Sequence, residues 1–379
     1  MKKGPPVPRP VLERISPSAY PAFSDDMAYD GLRHAIRQSI TYLKRIPSDR
    51  NFDFGPDRYT SSHLIRSLEH FLNFIQTQPS PEALKNFIRS HYRVYRSAGN
   101  QKTKKVLFTG YYEPILSGRT HRNGEYKYPV YARPEDHTTI DLSLFHADFK
   151  GRKIVGRYTN QRVVPYYDRR EIDKTIALKG KAPVLAWVKD EVGLFFLQIQ
   201  GSGKIFLENG SVLNVHYHTV NGHPYRSIGK LLIDKGKIPR KEMSMQRIRT
   251  YLHDHPDEVE AILHYNPSYV FFKIEKDGPL GYLSVKLTPG RSIALDRRIF
   301  PPAALCFIET KIPFVDGTGK INSWNDCNRF TLNQDTGGAL RGAGRADLFW
   351  GNGAYAEIAA GHMQHRGDLY FLVLKPASS

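Results

Sequence analysis

The spacing of apolar residues divides the chain into a helical beginning and a strand-rich remainder. Leu32, Ile36, Ile40 and Leu43 recur on one helical face, as do Leu64, Leu68, Phe71 and Ile75, which predicts two amphipathic helices. Ser80-Pro81-Glu82 supplies an N-cap, a first-turn proline and an early acidic charge for a third. From Val106 the period shortens to that of strands, with VLFTGYY (106–112), VLAWV (184–188) and LFFLQIQG (194–201) as candidates. KIFLE and SVLNV, joined through Asn209-Gly210, read as a hairpin with a two-residue turn. A helical interlude follows. Ile228, Leu231 and Leu232 lie in a segment that stops at Gly236, a second helix starts near Ser244, and a third near Pro256 holds Val259, Ile262 and Leu263. SYVFFKI (268–274), YLSVKL (282–287), ALCFIETKI (304–312), RFTLNQ (329–334) and DLYFLVLKP (368–376) complete a β-rich tail. Residues 1 to 28, rich in proline and serine, read as a loosely docked arm.

Length and charge narrow the function classes. A chain of 379 residues suits two or three domains with a sizeable core. Its two cysteines, Cys306 and Cys327, exclude a disulfide framework and a four-cysteine zinc module. A formal charge of +18 predicts attraction to a polyanion, whether nucleic acid, anionic membrane or acidic cell-wall polymer. No run of apolar residues is long enough for a membrane span, and the basic start MKKGPPVPRP has no apolar segment behind it, so neither a signal peptide nor a lipid-attachment cysteine is read there.

Several motifs carry little chemistry when weighed individually. GSGK at 201–204 lacks the earlier glycine and the following Ser or Thr of a phosphate loop, since Gln198 and Ile205 stand there, so nucleotide binding is rejected. The close histidine pairs at 216/218, 253/255 and 362/365 join no HExxH or Cys/His array, and no metal or other cofactor is expected. Asp335-Thr336-Gly337 is the tripeptide of aspartic proteases, but it occurs once where such sites need two. The 45 aromatic residues suit stacking on bases or on sugar rings, and on these grounds alone nucleic acid and polysaccharide stay level.

The richest stretch is residues 334–353, QDTGGALRGAGRADLFWGNG, in which Asp335 and Asp347 sit among six glycines. One reading makes Asp335 a turn cap and Asp347 a solvated acid. The other notes that Leu348-Phe349-Trp350 gives Asp347 an apolar flank, which would raise its pKa and suit a general acid.

Taken in order, FTGYYEP (108–114), YKYPVYARP (126–134), QIQGSGKI (198–205), NGHPYRSIGKLLIDKG (221–236), NPSYVFFK (266–273), GRSIALDRRIFPP (290–302) and DTGGALRGAGRADLFWG (335–351) resemble the membrane-bound lytic murein transglycosylase A family. The resemblance implies a mainly β fold with helices: a discontinuous double-psi β-barrel from residues 29–115 and 283–379, an inserted β-rich domain over 116–282, and a groove between them for glycan. It implies an enzyme that cleaves the β-1,4 bond between N-acetylmuramic acid and N-acetylglucosamine and leaves a 1,6-anhydromuramyl product. Three aspartates of the C-terminal module match Asp296, Asp335 and Asp347, with Asp347 in the catalytic place and the others in support. Substrate contacts are expected from Thr109, Gly110, Tyr111 and Tyr112, from Gln200, Gly201 and Ser202, and from Tyr225, Arg226 and Lys230.

One acid suffices for such chemistry. Hydrolytic glycosidases need a second carboxylate as nucleophile or to activate water. A 6-hydroxyl tethered within the sugar acts at an effective concentration of roughly 10⁵ M or more, and the spent acid can then take its proton. If Asp335 lies close and ionised, its charge would help keep Asp347 protonated. The expected partners are peptidoglycan strands, with cell-wall synthesis enzymes or amidases as candidates and no nucleic acid; the expected state is a monomer, in the periplasm or at the outer membrane. A hydrolytic muramidase on the same fold and a non-catalytic glycan or nucleic-acid binder are the alternatives.

Overall fold

The structure, a computed structural model, describes residues 10–175, 177–338 and 340–376. Residues 1–9 of the expected arm lie outside the described residues. The chain divides into two compact units, one from the segments up to Tyr112 and from Leu280 onward, the other Glu113–Pro279. These boundaries, 112/113 and 279/280, fall three residues before the expected 115/116 and 282/283.

In the first unit six strands close on themselves. Gln364–Leu374 pairs with Leu305–Val315, which pairs with Ile321–Asp335; then come Ser292–Ala294, Arg345–Asn352 and Val106–Glu113, which returns to Gln364–Leu374. The closing strand is long enough to serve two neighbours. Gln364 to Gly367 pair with Val106–Glu113, and Tyr370 to Leu374 pair with Tyr92–Ser97, which carries Leu12–Arg14 on its outer edge. Closure leaves these six strands without a free edge in the ring. Aromatic residues from the preceding segment pack on two of its strands, Phe23 against Phe307 at 5.0 Å and Phe71 against Phe330 at 4.9 Å.

The helices that precede the ring form where their patterns place them. Leu32–Leu43 buries Leu32, Ile36, Ile40 and Leu43; Ser61–Ile75 is capped by the Thr60 hydroxyl, and Pro81–His91 by Ser80. The described part of the expected loose arm, from residue 10 onward, is instead firmly held. Leu12 and Phe23 are buried, the Asp25 carboxylate pairs with Arg291 at 2.6 Å, and Asp26 pairs with Arg329 at 2.6 Å. Local composition could not reveal this, because both arginines lie more than 250 positions away in sequence.

The second unit centres on a sheet ordered Val270–Glu275, Val212–Val220, Ser202–Leu207, Ile115–Arg119, Val184–Val188 and Tyr128–Tyr131, with a separate three-stranded sheet and helices. Here LFFLQIQG is not a strand but most of the helix Glu191–Gln200. Asp190 accepts the Gly193 N–H at 2.8 Å to start it, and Gly201, at φ +81°, ends it. The run is apolar on all sides because the helix is packed on two. Leu194 and Leu197 join the sheet's cluster, while Phe195 and Phe196 join that of the helices Ile228–Asp234, Met245–Asp254 and Pro256–His264.

Two further expectations change. The hairpin of Ser202–Leu207 and Val212–Val220 turns through three residues, with a hydrogen bond from Gly210 N–H to Leu207 O at 3.0 Å and Gly210 at φ +80°. YLSVKL forms turns and a single bridge, Leu280 to Lys286; its alternation marks buried Leu283, Val285 and Leu287 without a ladder partner. Cys306 and Cys327 are both buried and free of a disulfide. No helix among the described residues is long and apolar enough to cross a membrane.

Candidate active site

Asp335 and Asp347 flank one short strand. Ala294 pairs with Asp335 of the parallel neighbour Ile321–Asp335 and with Asp347 of the antiparallel neighbour Arg345–Asn352. The two acids are therefore two strands apart, about 10 Å between backbones at ordinary sheet spacing. Val106–Glu113 lies beyond Arg345–Asn352. Alternation along it puts Thr109 and Tyr111 on one face. The Thr109 hydroxyl donates to Asp347 Oδ1, and the Tyr111 hydroxyl donates to Asp335 Oδ2 at 2.8 Å. One strand thus holds both carboxylates.

The carboxylates differ in how they are met. Asp335 accepts from three donors: Tyr111, the Tyr282 N–H at 2.9 Å and the Thr336 N–H at 2.8 Å. Burial still pushes its pKa up to about 6, with the Asp347 charge adding to the rise and the three donors opposing it. Asp347 is also raised, by burial, while Thr109 and then the Arg345 charge pull it back. Arg345 reaches Thr109 Oγ1 at 3.3 Å and stands 3.8 Å from Asp347 Oδ1. Among the described residues no donor meets Asp347 Oδ2, and the side chain keeps 24% exposure. Burial is the leading cause of the rise at both acids, and the repulsion between the two charges is a smaller contribution.

Asp296 sits apart from this pair of networks. Its carboxylate is bound by Arg298 at 2.9 and 2.7 Å and by the Gly342 N–H at 2.8 Å, which holds its pKa well below the usual range. Gly342 belongs to the connection between the two acid-bearing strands, so Asp296 ties down that loop. The strand before Asp335 is fixed from behind. Gln334 accepts from the Ser292 hydroxyl at 2.6 Å and donates to Ala35 O at 2.7 Å and Ser39 Oγ at 3.0 Å, both on Leu32–Leu43.

The remaining expected contacts separate by unit. Gly110 lies against Trp350; a β-carbon there would stand 2.6 Å from the indole Nε1 and 2.8 Å from Ala360 Cα. Tyr112 is 2% exposed and faces the core, so the expectation of a sugar-stacking ring there is corrected. In the second unit, Gln200 ends its helix with the amide 4.0 Å from Met245 Sδ, Gly201 is the helix cap, and Ser202 opens a strand opposite His216. Tyr225 is exposed, the Arg226 N–H donates to Asn266 at 3.1 Å with its guanidinium over Tyr265, and Lys230 pairs with Asp234. No group of acids, histidines and cysteines suited to a metal occurs among the described residues.

Arg345 and the Tyr282 backbone were missed from the sequence. Arg345 stands two positions before Asp347, and strand alternation was the available signal for it. Tyr282 had none, because its segment reads as a strand.

Residues 107–273 match the MltA specific insert domain, and residues 291–373 match the 3D domain. The membrane-bound lytic murein transglycosylase A of Escherichia coli strain K12 is 34% identical over 287 residues, covering 75% of this chain and 70% of that protein. Among solved structures, a membrane-bound lytic murein transglycosylase from Agrobacterium tumefaciens superposes with a TM-score of 0.78 at 29% identity, covering 96% of this chain and 97% of the other. Escherichia coli MltA with bound chitohexaose gives 0.72 at 27% identity, covering 97% and 95%.

Proposed function

The chain belongs to the membrane-bound lytic murein transglycosylase A family and is a lytic transglycosylase acting on peptidoglycan, and from that premise we propose that Asp347 alone moves the protons of the reaction. In this reading the protonated Asp347 carboxyl donates to the oxygen of the β-1,4 bond leaving N-acetylmuramic acid. The 6-hydroxyl of the same sugar attacks its anomeric carbon, the glycosidic bond breaks, and the Asp347 carboxylate accepts the hydroxyl proton. The product carries a 1,6-anhydro ring and no water is consumed.

The contrast in donors carries the assignment. Asp335 accepts three hydrogen bonds, each of which favours its ionised form and opposes its holding a proton. Asp347 has Oδ1 held by Thr109 and Oδ2 open, with a pKa raised by burial, which suits an acid that gives up and regains a proton. Asp335 and Asp296 then act as positioning residues, one for Tyr111 and the Tyr282 backbone, the other for the Gly342 loop. Thr109 and Tyr111 present the acids, and Gln200, Gly201, Ser202, Tyr225, Arg226 and Lys230 contact the glycan. The ligand of Escherichia coli MltA, chitohexaose, is a β-linked glycan of the same kind.

The closed six-stranded ring is read as the double-psi barrel with residues 113–279 inserted, and the place of action as the periplasm or outer membrane. Mass analysis of products from purified peptidoglycan tests the chemistry. Anhydro ends are expected from the wild-type chain; hydrated, reducing ends would make it a muramidase.

A further inference from the structure

The second unit carries an apolar projection that its core does not use. Between Thr138–Asp141 and Lys153–Thr159 the chain forms two short 3₁₀ turns, Leu142–Leu144 and Ala147–Phe149. Leu144 is 84% and Phe145 71% exposed, and Phe149 is also exposed. The excursion is nonetheless well formed. Asp141 accepts from the Ser143 N–H at 3.1 Å, Leu142 N–H donates to Arg152 O at 2.9 Å, and Arg152 N–H donates to Phe149 O at 2.8 Å. Its backbone is satisfied within the loop, so the exposed side chains are held outward on an ordered turn.

The sheet beside it repeats the pattern. Ile154 pairs with Ile140, and Tyr158 pairs with Val163, with Ile154, Tyr158 and Val163 all exposed. Between them in sequence, Val155 points the other way and packs with Tyr166, Tyr269 and Phe271. This three-stranded sheet therefore buries one face and leaves the other apolar and uncovered. Exposed apolar side chains grouped on one hydrogen-bonded element mark a contact site.

The surrounding charge identifies the occupant. Residues 141–163 contain Lys150, Arg152, Lys153, Arg157 and Arg162 against only Asp141 and Asp148. Lys153 pairs with Asp141 at 3.3 Å and Asp148 faces His146 at 3.4 Å, so both acids are already engaged, while Arg152 lies over the Phe149 ring at 5.8 Å. We propose that this turn and sheet face dock on an anionic lipid surface, Leu144 and Phe145 entering the interface while Lys150 and Arg152 meet headgroup phosphates. A projecting pair of apolar side chains ringed by cations matches a bilayer, which supplies an apolar interior beneath an anionic plane. An anionic glycan would satisfy the cations and leave Leu144 and Phe145 in water.

Co-sedimentation of the full chain with phosphatidylglycerol vesicles tests the proposal, with phosphatidylcholine vesicles as the neutral comparison. Binding is expected with phosphatidylglycerol, weakening as salt rises. The double variant Leu144→Asp/Phe145→Asp should lose about tenfold or more in partitioning, and Lys150→Glu/Arg152→Glu a comparable amount. Both should retain cleavage of soluble glycan fragments, which verifies folding and separates this surface from the active site. Wild-type chain remaining in the supernatant overturns the proposal. So does an equal loss from Lys102→Glu/Lys104→Glu, exposed basic residues of the other unit, since that would make the binding a matter of net charge. A wild-type dimer in sedimentation velocity that both patch variants abolish, without vesicle binding, would assign the face to a second copy of the chain.

Discussion

Asp335 and Asp347 share a strand partner in Ala294 and a clamp in Val106–Glu113, yet the donors around them differ. At Asp335 a side-chain hydroxyl and two backbone N–H groups converge on the carboxylate. At Asp347 one hydroxyl holds one oxygen, and Arg345 stands beyond hydrogen-bond reach of it at 3.8 Å. Burial raises both, so desolvation alone does not separate an acid catalyst from a support. The number and kind of donors does, because each hydrogen bond to the carboxylate favours its ionised form over the protonated one.

The contrast breaks most directly at the open acid. Asp347→Asn should lower kcat for glycan cleavage by about 10²–10⁴-fold, the usual share of a general acid–base group, with folding intact. Anhydro product released by this variant at the wild-type rate would transfer the catalytic role elsewhere. Asp335→Asn should cost less, up to about 10²-fold, because it disturbs placement and leaves the acid present. An equal or larger loss in that variant would reverse the two roles.

Titration sharpens the same comparison. The pKa of Asp335 rises on folding from 3.8 to about 6, so its contribution to stability is full below the lower value and is lost as pH rises through about 6. Urea unfolding of wild type between pH 4 and 7 should show that loss, and Asp335→Asn should flatten it; a slope unchanged in the variant would remove the assignment. Thr109→Val removes a donor that lowers the Asp347 pKa. Because the acid must be protonated to act, the alkaline limb of the kcat/KM profile should then move to higher pH, measurable on soluble fragments. The smallest effect is expected at Arg298→Ala. Arg298 is largely exposed and Asp296 keeps the Gly342 and residue 298 backbone N–H groups, so only a small downward shift of the midpoint is expected in denaturant unfolding.

The helices of the first unit were legible because each buries one face, as Leu32–Leu43 does, and each begins at a residue that can cap it. LFFLQIQG was misread because the helix Glu191–Gln200 is buried on two sides, which erases the period that distinguishes helix from strand. YLSVKL was misread for the converse reason, alternating burial without a strand beside it. In the site, Thr109 and Tyr111 could be picked out with Asp335 and Asp347 by motif. That Tyr112 faces the core, while its neighbour Tyr111 reaches an acid, follows from the phase of the strand, which only its pairing establishes.

By itself the sequence determined the kind of most elements, the family resemblance and the acids proposed for the chemistry. Capping, amphipathic period and motif order are local properties, readable from residues a few positions apart. The tertiary structure decided which acid meets three donors, which tyrosine reaches it, and that Asp25 and Asp26 bind the start of the described chain to Arg291 and Arg329. Those outcomes depend on strands and loops brought together from distant parts of the chain. A carboxylate's pKa is set by what burial removes from it and what those neighbours return, and neither quantity exists before the ring has closed.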